Sequence, residues 1–260
     1  VLEAEADAGT SVAHRPLDVP VAVPLLRAVD ADVSVRIKRM TRGQVEVSDY
    51  TSTSRLRNGR LAVRPLRMQL PATKIEGQFT LDVRAGPPSL VAELSASAVD
   101  VGKIWKELTS TDSLQGMAED VKVKMAGSGP TIRALLPQAS LSVTAGSGRI
   151  EYRGAQKETH RIELSRLDAR IDEGGPIELN AQGAFRDTPF RATFTGMRLA
   201  HILAGDTHWP VSFSAQATGA SLAGEGTMTW PLGSPGWDLR LTLHGERIDA
   251  LNSLLQVQLP

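Results

Sequence analysis

Ala31-Asp32-Val33-Ser34-Val35-Arg36-Ile37-Lys38 alternates apolar with charged or hydroxyl side chains without a break. A period of two marks a β-strand with one dry face and one wet face. The same alternation returns in Ile75, Gly77, Phe79, Leu81 and Val83, set against Lys74, Glu76, Gln78, Thr80, Asp82 and Arg84. It returns again in Leu90, Ala92, Leu94, Ala96 and Ala98. Asn58-Gly59, between Arg57 and Arg60, is a hairpin signal, because a type I′ turn needs φ > 0 at both central residues. Gly86-Pro87-Pro88 breaks the next pair of strands. Residues 31–98 therefore predict a run of amphipathic strands joined by turns.

Outward from this stretch the same plan continues. Residues 24–29 form a helical turn with Pro24 near its start. Strands are expected at 31–40, 44–49 and 50–57, the last two joined into one by a bulge where the apolar parity shifts near Asp49. Pro65 interrupts 61–70 and places an edge or a bulge there. Residues 100–108 form a helix with Asp100 as N-cap and Val101, Ile104, Trp105 and Leu108 on one face. A strand at 117–126 and a short helix at 131–137 follow. Residues 141–145 and 149–152 pair as a hairpin around Gly146-Ser147-Gly148. The second half places strands at 161–171, 177–185, 190–196, 211–217, 220–230 and 237–245, and a short helix at 199–203. A last amphipathic helix carries Ile248, Leu251, Leu254 and Leu255. Three times a strand of small apolar residues runs into a short leucine-faced helix, as in stacked units of a few strands each. The expected organisation is a leader strand or linker at 1–24, a first β-groove unit at 25–155 and a second at 156–260.

Composition excludes several classes. Over 260 residues, 29 Lys and Arg balance 29 Asp and Glu, so no basic surplus points to nucleic acid. With no Cys there is no disulfide, thiolate chemistry or Cys-based zinc site. No run approaches the roughly 18 apolar residues of a transmembrane helix. The sequence begins at Val1 without a signal-like segment, and a signal or membrane anchor is expected outside it. Aromatic residues make up only 4%. Inward positions are mostly Val, Leu, Ala and Gly, which fits either a core rich in small residues or an apolar face left under-filled.

The search for catalytic motifs is negative. Gly127-Ser-Gly-Pro-Thr131 lacks the Gly-Lys-Ser/Thr of a P-loop, and Gly219-Ala-Ser-Leu-Ala-Gly224 is one residue too long for a nucleophile elbow. His14, His160, His201, His208 and His244 make no paired metal-ligand spacing, and a site from His201, Asp206 and His208 is outweighed by a solvated loop. Asp172 and Glu173 sit at a Gly-Gly-Pro turn, where acidic residues serve the backbone. No enzyme, metal or cofactor is expected.

The apolar face remains. It needs a second sheet, helices or a ligand against it, and three or four short helices cannot cover about fifteen strands. The expected fold is mainly β: an elongated antiparallel sheet curved into a groove or flattened barrel, with a few short amphipathic helices capping its ends and edges. An open trough suits acyl chains, which ask for dry surface and little directional bonding. The candidate lining is Val33, Val35, Ile37, Phe79, Leu81, Val83, Phe185, Phe194 and Phe213. Two other classes compete. One is a closed β-sandwich that acts as an interaction scaffold for envelope proteins. The other is a carbohydrate-binding sandwich, which needs Trp105, Trp209, Trp230 or Trp237 exposed around one cleft.

Several stretches carry a family likeness: Val23-Pro-Leu-Leu-Arg-Ala-Val-Asp-Ala-Asp-Val-Ser-Val-Arg-Ile-Lys-Arg-Met40, Leu56-Arg-Asn-Gly-Arg-Leu-Ala-Val-Arg-Pro-Leu66 and Ile75-Glu-Gly-Gln-Phe-Thr-Leu-Asp-Val83. Ala98-Val-Asp-Val-Gly-Lys-Ile104 and the ending Leu254-Leu-Gln-Val-Gln-Leu-Pro260 add to it. Together they resemble the C-terminal region of the bacterial AsmA-like proteins, relatives of TamB in the repeating β-groove group. The likeness covers most of the chain and is clearer before Tyr152 than after. It implies a non-enzymatic periplasmic module of a Gram-negative bacterium, anchored to the inner membrane through a segment outside this sequence. Such a module holds phospholipid or another long-chain lipid in an apolar groove, for lipid transport between the membranes and outer-membrane assembly, with envelope membrane proteins as further partners.

Overall fold

An alternating strand hides its dry face best beside strands of the same pattern, and this chain supplies them one after another. The computed structural model describes residues 23–42, 45–109, 112–153, 158–204, 208–229 and 236–245. Helix α1 (Val23–Ala28) precedes β1 (Ala31–Arg42), β2 (Val45–Arg57), β3 (Arg60–Leu70), β4 (Thr73–Asp82) and β5 (Ser89–Asp100). Helix α2 (Val101–Thr109) leads into β6 (Leu114–Ser128). A helical turn α3 (Ile132–Leu135), extended by a 3-10 turn at Leu136–Gln138, leads into β7 (Ser140–Ala145), β8 (Ser147–Arg153), β9 (Thr159–Ile171), β10 (Pro176–Phe185) and β11 (Thr188–Arg198). Helix α4 (Leu199–Ala204) precedes β12 (His208–Ala217), β13 (Ala220–Thr229) and β14 (Trp237–Gly245). The leader at 1–22, Asp206, Trp230 and the expected last helix lie outside the described residues.

All fourteen strands belong to one antiparallel sheet whose order follows the chain from β1 to β14. The two units expected from the sequence are halves of this one ladder, since β9 pairs with both β7 and β8 across residue 155. Strands β1 and β14 stand at opposite ends of the order and are not paired with each other, so the sheet does not close into the flattened barrel. Thirteen rungs at the usual strand spacing extend roughly 60 Å.

The expected hairpin at 141–152 is not one. β7 and β8 are collinear and share a single rung between β6 and β9. Gly146 interrupts that rung opposite Asp120, whose φ is 50°, and the Gly146 N–H donates to Glu119 O at 3.0 Å. β9 carries its own bulge beside this point, where its register to β10 shifts between Gln182 and Gly183. Parity flips together in the neighbouring strands. In β6 the apolar side runs Leu114, Gly116, Ala118 and then Val121, Val123, Met125; in β9 it runs Ile162, Leu164 and then Leu167, Ala169. Bulges bend and twist the strands they interrupt, and these keep one face dry across the bend. Bulges near Asp49, where φ is 48°, and at Pro65 do the same in β2 and β3, the latter an interior strand.

Helices gather along the strand ends. α1, the Asn58-Gly59 turn, the loop at 83–88, α3 with its 3-10 turn, the turn at 172–175 and α4 follow one margin of the sheet. Arg27 Nε donates to Val83 O at 2.7 Å, Val83 N to Gly59 O at 2.9 Å and Gly129 N to Pro88 O at 2.8 Å. Buried side chains concentrate here: Leu56, Val83, Leu135, Ala139, Ile171 and Trp209. On the opposite margin α2 packs on β6, capped by Asp100, whose Oδ1 accepts from Lys103 N at 3.0 Å. A second small cluster, Ala118, Val121 and Ala145, has Ala96, Val99, Val101, Val123, Val143 and Leu167 around it. Every member comes from neighbouring rungs or the first residue of α2. None comes from a facing sheet.

Candidate functional site

Cross-strand partners share a face, so the register sorts the whole surface. One row runs from edge to edge: Val35, Ser52, Leu66, Gly77, Leu94 and Val123, then Val143, Ala169, Leu179, Phe194, Phe213, Gly224 and Leu241. Ser52 alone is polar. The adjacent row, one residue over on each strand, begins Arg36, Thr51, Arg67, Glu76, Ser95, Lys122 and Thr144. It continues through Asp168, Asn180, Thr193, Ser214, Ala223 and Thr242, where Ala223 alone is apolar. The sheet is amphipathic over its full width.

The apolar face is only half covered. Val35, Ile37, Phe79, Leu81, Phe185, Phe194 and Phe213 all lie on it and are all half-buried. Leu94, near the middle of the sheet, is 36% exposed; Val33 and Leu241, on the two edge strands, are 48% and 58% exposed. Val83 does not line the face. It follows the end of β4, is 0% exposed and packs against the Gly59 turn and Arg27, so it is core at the helix-lined margin.

Glycines make room for large side chains on this face. A Cβ on Gly224 would come within 2.4 Å of Phe213 Cζ and 2.9 Å of Leu241 Cδ2. One on Gly77 would meet Leu94 Cδ2 at 2.7 Å, and one on Gly196 would meet Phe194 Cζ at 3.1 Å. Phe213, Leu94 and Phe194 therefore reach into the space that a Cβ would fill at these glycines.

The opposite face is laced with ion pairs. Asp32 accepts from Arg55 and Arg57, Asp168 from Arg166 and Asp82 from Arg84. Hydrogen bonding to Arg84 holds the Asp82 carboxyl down at about 2, and hydrogen bonds from Arg57, Lys74 and Arg166 lower Asp32, Glu76 and Asp168. These shifts keep carboxylates ionised, the opposite of what a general acid needs. An open depression of about 710 Å³ on this side is lined by Lys74, Glu76, Lys122, Arg166 and Asp168 among others. Charges of both signs surround it.

Comparison with protein-family models, with curated proteins and with solved structures finds no match to this chain. Function therefore rests on the site itself. Among the described residues there is no group of three or more His, Cys, Asp or Glu that could hold a metal ion, and no helix long and apolar enough to cross a membrane. Trp209 is buried beside the α4 margin, while Trp105, at the opposite margin, donates from Nε1 to Ser113 Oγ at 3.2 Å. These two do not form one sugar-binding cleft.

Sequence reasoning missed one feature. His160 and Tyr152 face each other across β9 and β8 on the apolar side. The His160 ring lies 6.1 Å from that of Phe185, and the Arg186 guanidinium lies 5.4 Å from the same ring. The signal was present: His160 occupies an apolar position in the alternation that continues with Ile162 and Leu164.

Proposed function

We propose that this chain is a non-enzymatic lipid-handling module of the AsmA-like kind, holding acyl chains against its apolar sheet face. The observation that carries the reading is the edge-to-edge row in which Ser52 is the lone polar residue, with Leu94 near its centre 36% exposed. An apolar surface of this extent is unfavourable in water unless something dry covers it. Acyl chains need no directional partner, which matches a central row of mostly Leu, Val, Phe, Ala and Gly whose one polar member, Ser52, is buried. Ion pairs on the other face keep that side wet, so a lipid has one side to choose. The compartment and role that accompany this reading are the periplasm of a Gram-negative bacterium, lipid traffic between its membranes, and outer-membrane assembly.

Photo-crosslinking tests it. Benzoylphenylalanine is placed at Val35, Leu81 or Phe194 on the apolar face, or at Arg36, Thr80 or Thr195 on the polar face. The purified chain is then irradiated with phosphatidylethanolamine–phosphatidylglycerol vesicles. Lipid adducts at the first three positions and not at the second three are the expected result. Equal labelling of both faces, or none, overturns the proposal and moves weight to an interaction scaffold.

A further inference from the structure

A polar group on an otherwise apolar face calls for an explanation, above all when it lacks a partner. Among the described residues His160 Nδ1 is buried without a hydrogen bond, while its Nε2 lies 3.6 Å from Glu158 Oε1. Across the ladder Tyr152 is 43% exposed, and among the described residues its hydroxyl has no hydrogen-bond partner. Arg186 lies on the next turn, between β10 and β11, with its guanidinium over the Phe185 ring. Among the described residues it has no carboxylate partner, although most arginines on the polar side do. The three residues stand at the margin away from α4, where β8 ends, β9 begins and β10 ends, with the His160 ring and the Arg186 guanidinium both beside Phe185. Ile150, Ile162 and Phe185 continue from them onto the dry face.

We infer that Tyr152, His160 and Arg186 form an anion site at the rim of the apolar face, which takes the carboxylate or phosphate oxygens of a lipid whose chain lies on that face. This rests on the acyl-binding reading above and adds the headgroup to it. The guanidinium supplies charge and a planar pair of donors matched to carboxylate or phosphate. Phe185 holds it over the rim by cation–π contact. The Tyr152 hydroxyl supplies a second donor, and the imidazole across the ladder from it lines the same rim. Glu158 Oε1, 3.6 Å from the far ring nitrogen, orients the imidazole. A free fatty acid and a lysophosphatidate share this chemistry.

Competition against a fluorescent fatty acid, on the whole chain, tests the site with three probes: sodium oleate, 1-oleoyl-lysophosphatidic acid and methyl oleate. The expected result is at least tenfold tighter binding of one or both anionic probes than of the ester; the probe preferred identifies carboxylate or phosphate as the group. Arg186→Gln, in an exposed turn, should erase that preference and leave methyl oleate unchanged. His160→Phe, which keeps the ring, should reduce it several-fold. Equal binding of all three probes by the wild type, or a preference that survives Arg186→Gln, overturns the headgroup site while the acyl reading stands. Failure of every probe to bind overturns both.

Discussion

Leu94→Asp separates an open face from a closed core. Leu94 stands near the middle of the sheet between Gly77 and Val123, with its Cδ2 over Gly77. It is 36% exposed, so folding removes about two thirds of the side chain from water. Full burial of a leucine is worth about 1.5–3 kcal/mol, so the loss of its apolar contacts amounts to about 1–2 kcal/mol. On an open face the new carboxylate reaches water and adds little. In a covered core it is an unpaired buried charge, and the loss rises to several kcal/mol. Urea unfolding followed by circular dichroism measures the difference as a shift in midpoint at constant slope. The account predicts a cooperative transition weakened by about 1–2 kcal/mol, together with loss of acyl-chain binding. A loss above about 4 kcal/mol, or failure to fold while Leu94→Met folds normally, would show that the face is covered and refute the reasoning.

Three further outcomes follow from other parts of the molecule. Val83→Ala removes two methyl groups from a fully buried position and should destabilise the fold by about 2 kcal/mol in the same urea assay, leaving lipid binding by the folded protein intact. Gly226 has φ 153°, and a Cβ there would fall 1.9 Å from Asp238 O, so Gly226→Ala should loosen β14; faster hydrogen exchange in β14 than in β10 would register it. The Asp82 carboxyl is lowered from 3.8 to about 2 by Arg84, so its contribution to stability is present above pH 4 and is lost as pH falls through about 2. A carboxyl NMR titration should give that midpoint, and Arg84→Gln should move it up towards 3.8.

What was legible in the sequence was local. Alternation in 31–38, 74–84 and 89–98 located strands and sorted their faces, because side-chain period and strand geometry are the same fact. Asn58-Gly59 gave its hairpin, and the parity shift near Asp49 gave its bulge. What failed depended on distant partners. Gly146-Ser147-Gly148 resembles a turn, but whether it turns the chain or only interrupts a rung depends on strands β6 and β9 on either side, with Asp120 of β6 facing Gly146. Val83 continues the alternation of β4, yet the strand has ended by then, and Gly59 and Arg27 bury it from elsewhere in the chain. His160 was passed over in a search for paired histidines, although its parity with Ile162 and Leu164 set it on the dry face; Phe185 and Arg186, which make it notable, arrive only through pairing with β10.

The central claim is that the apolar face is open and holds acyl chains. Purification of the chain without detergent from a Gram-negative host, followed by native mass spectrometry and lipid extraction, tests it most directly. The account predicts phospholipid or another long-chain lipid at about one or more molecules per chain, lost in Leu94→Asp while the fold is retained. A stably folded protein that carries no lipid, and takes up none from vesicles, would contradict it.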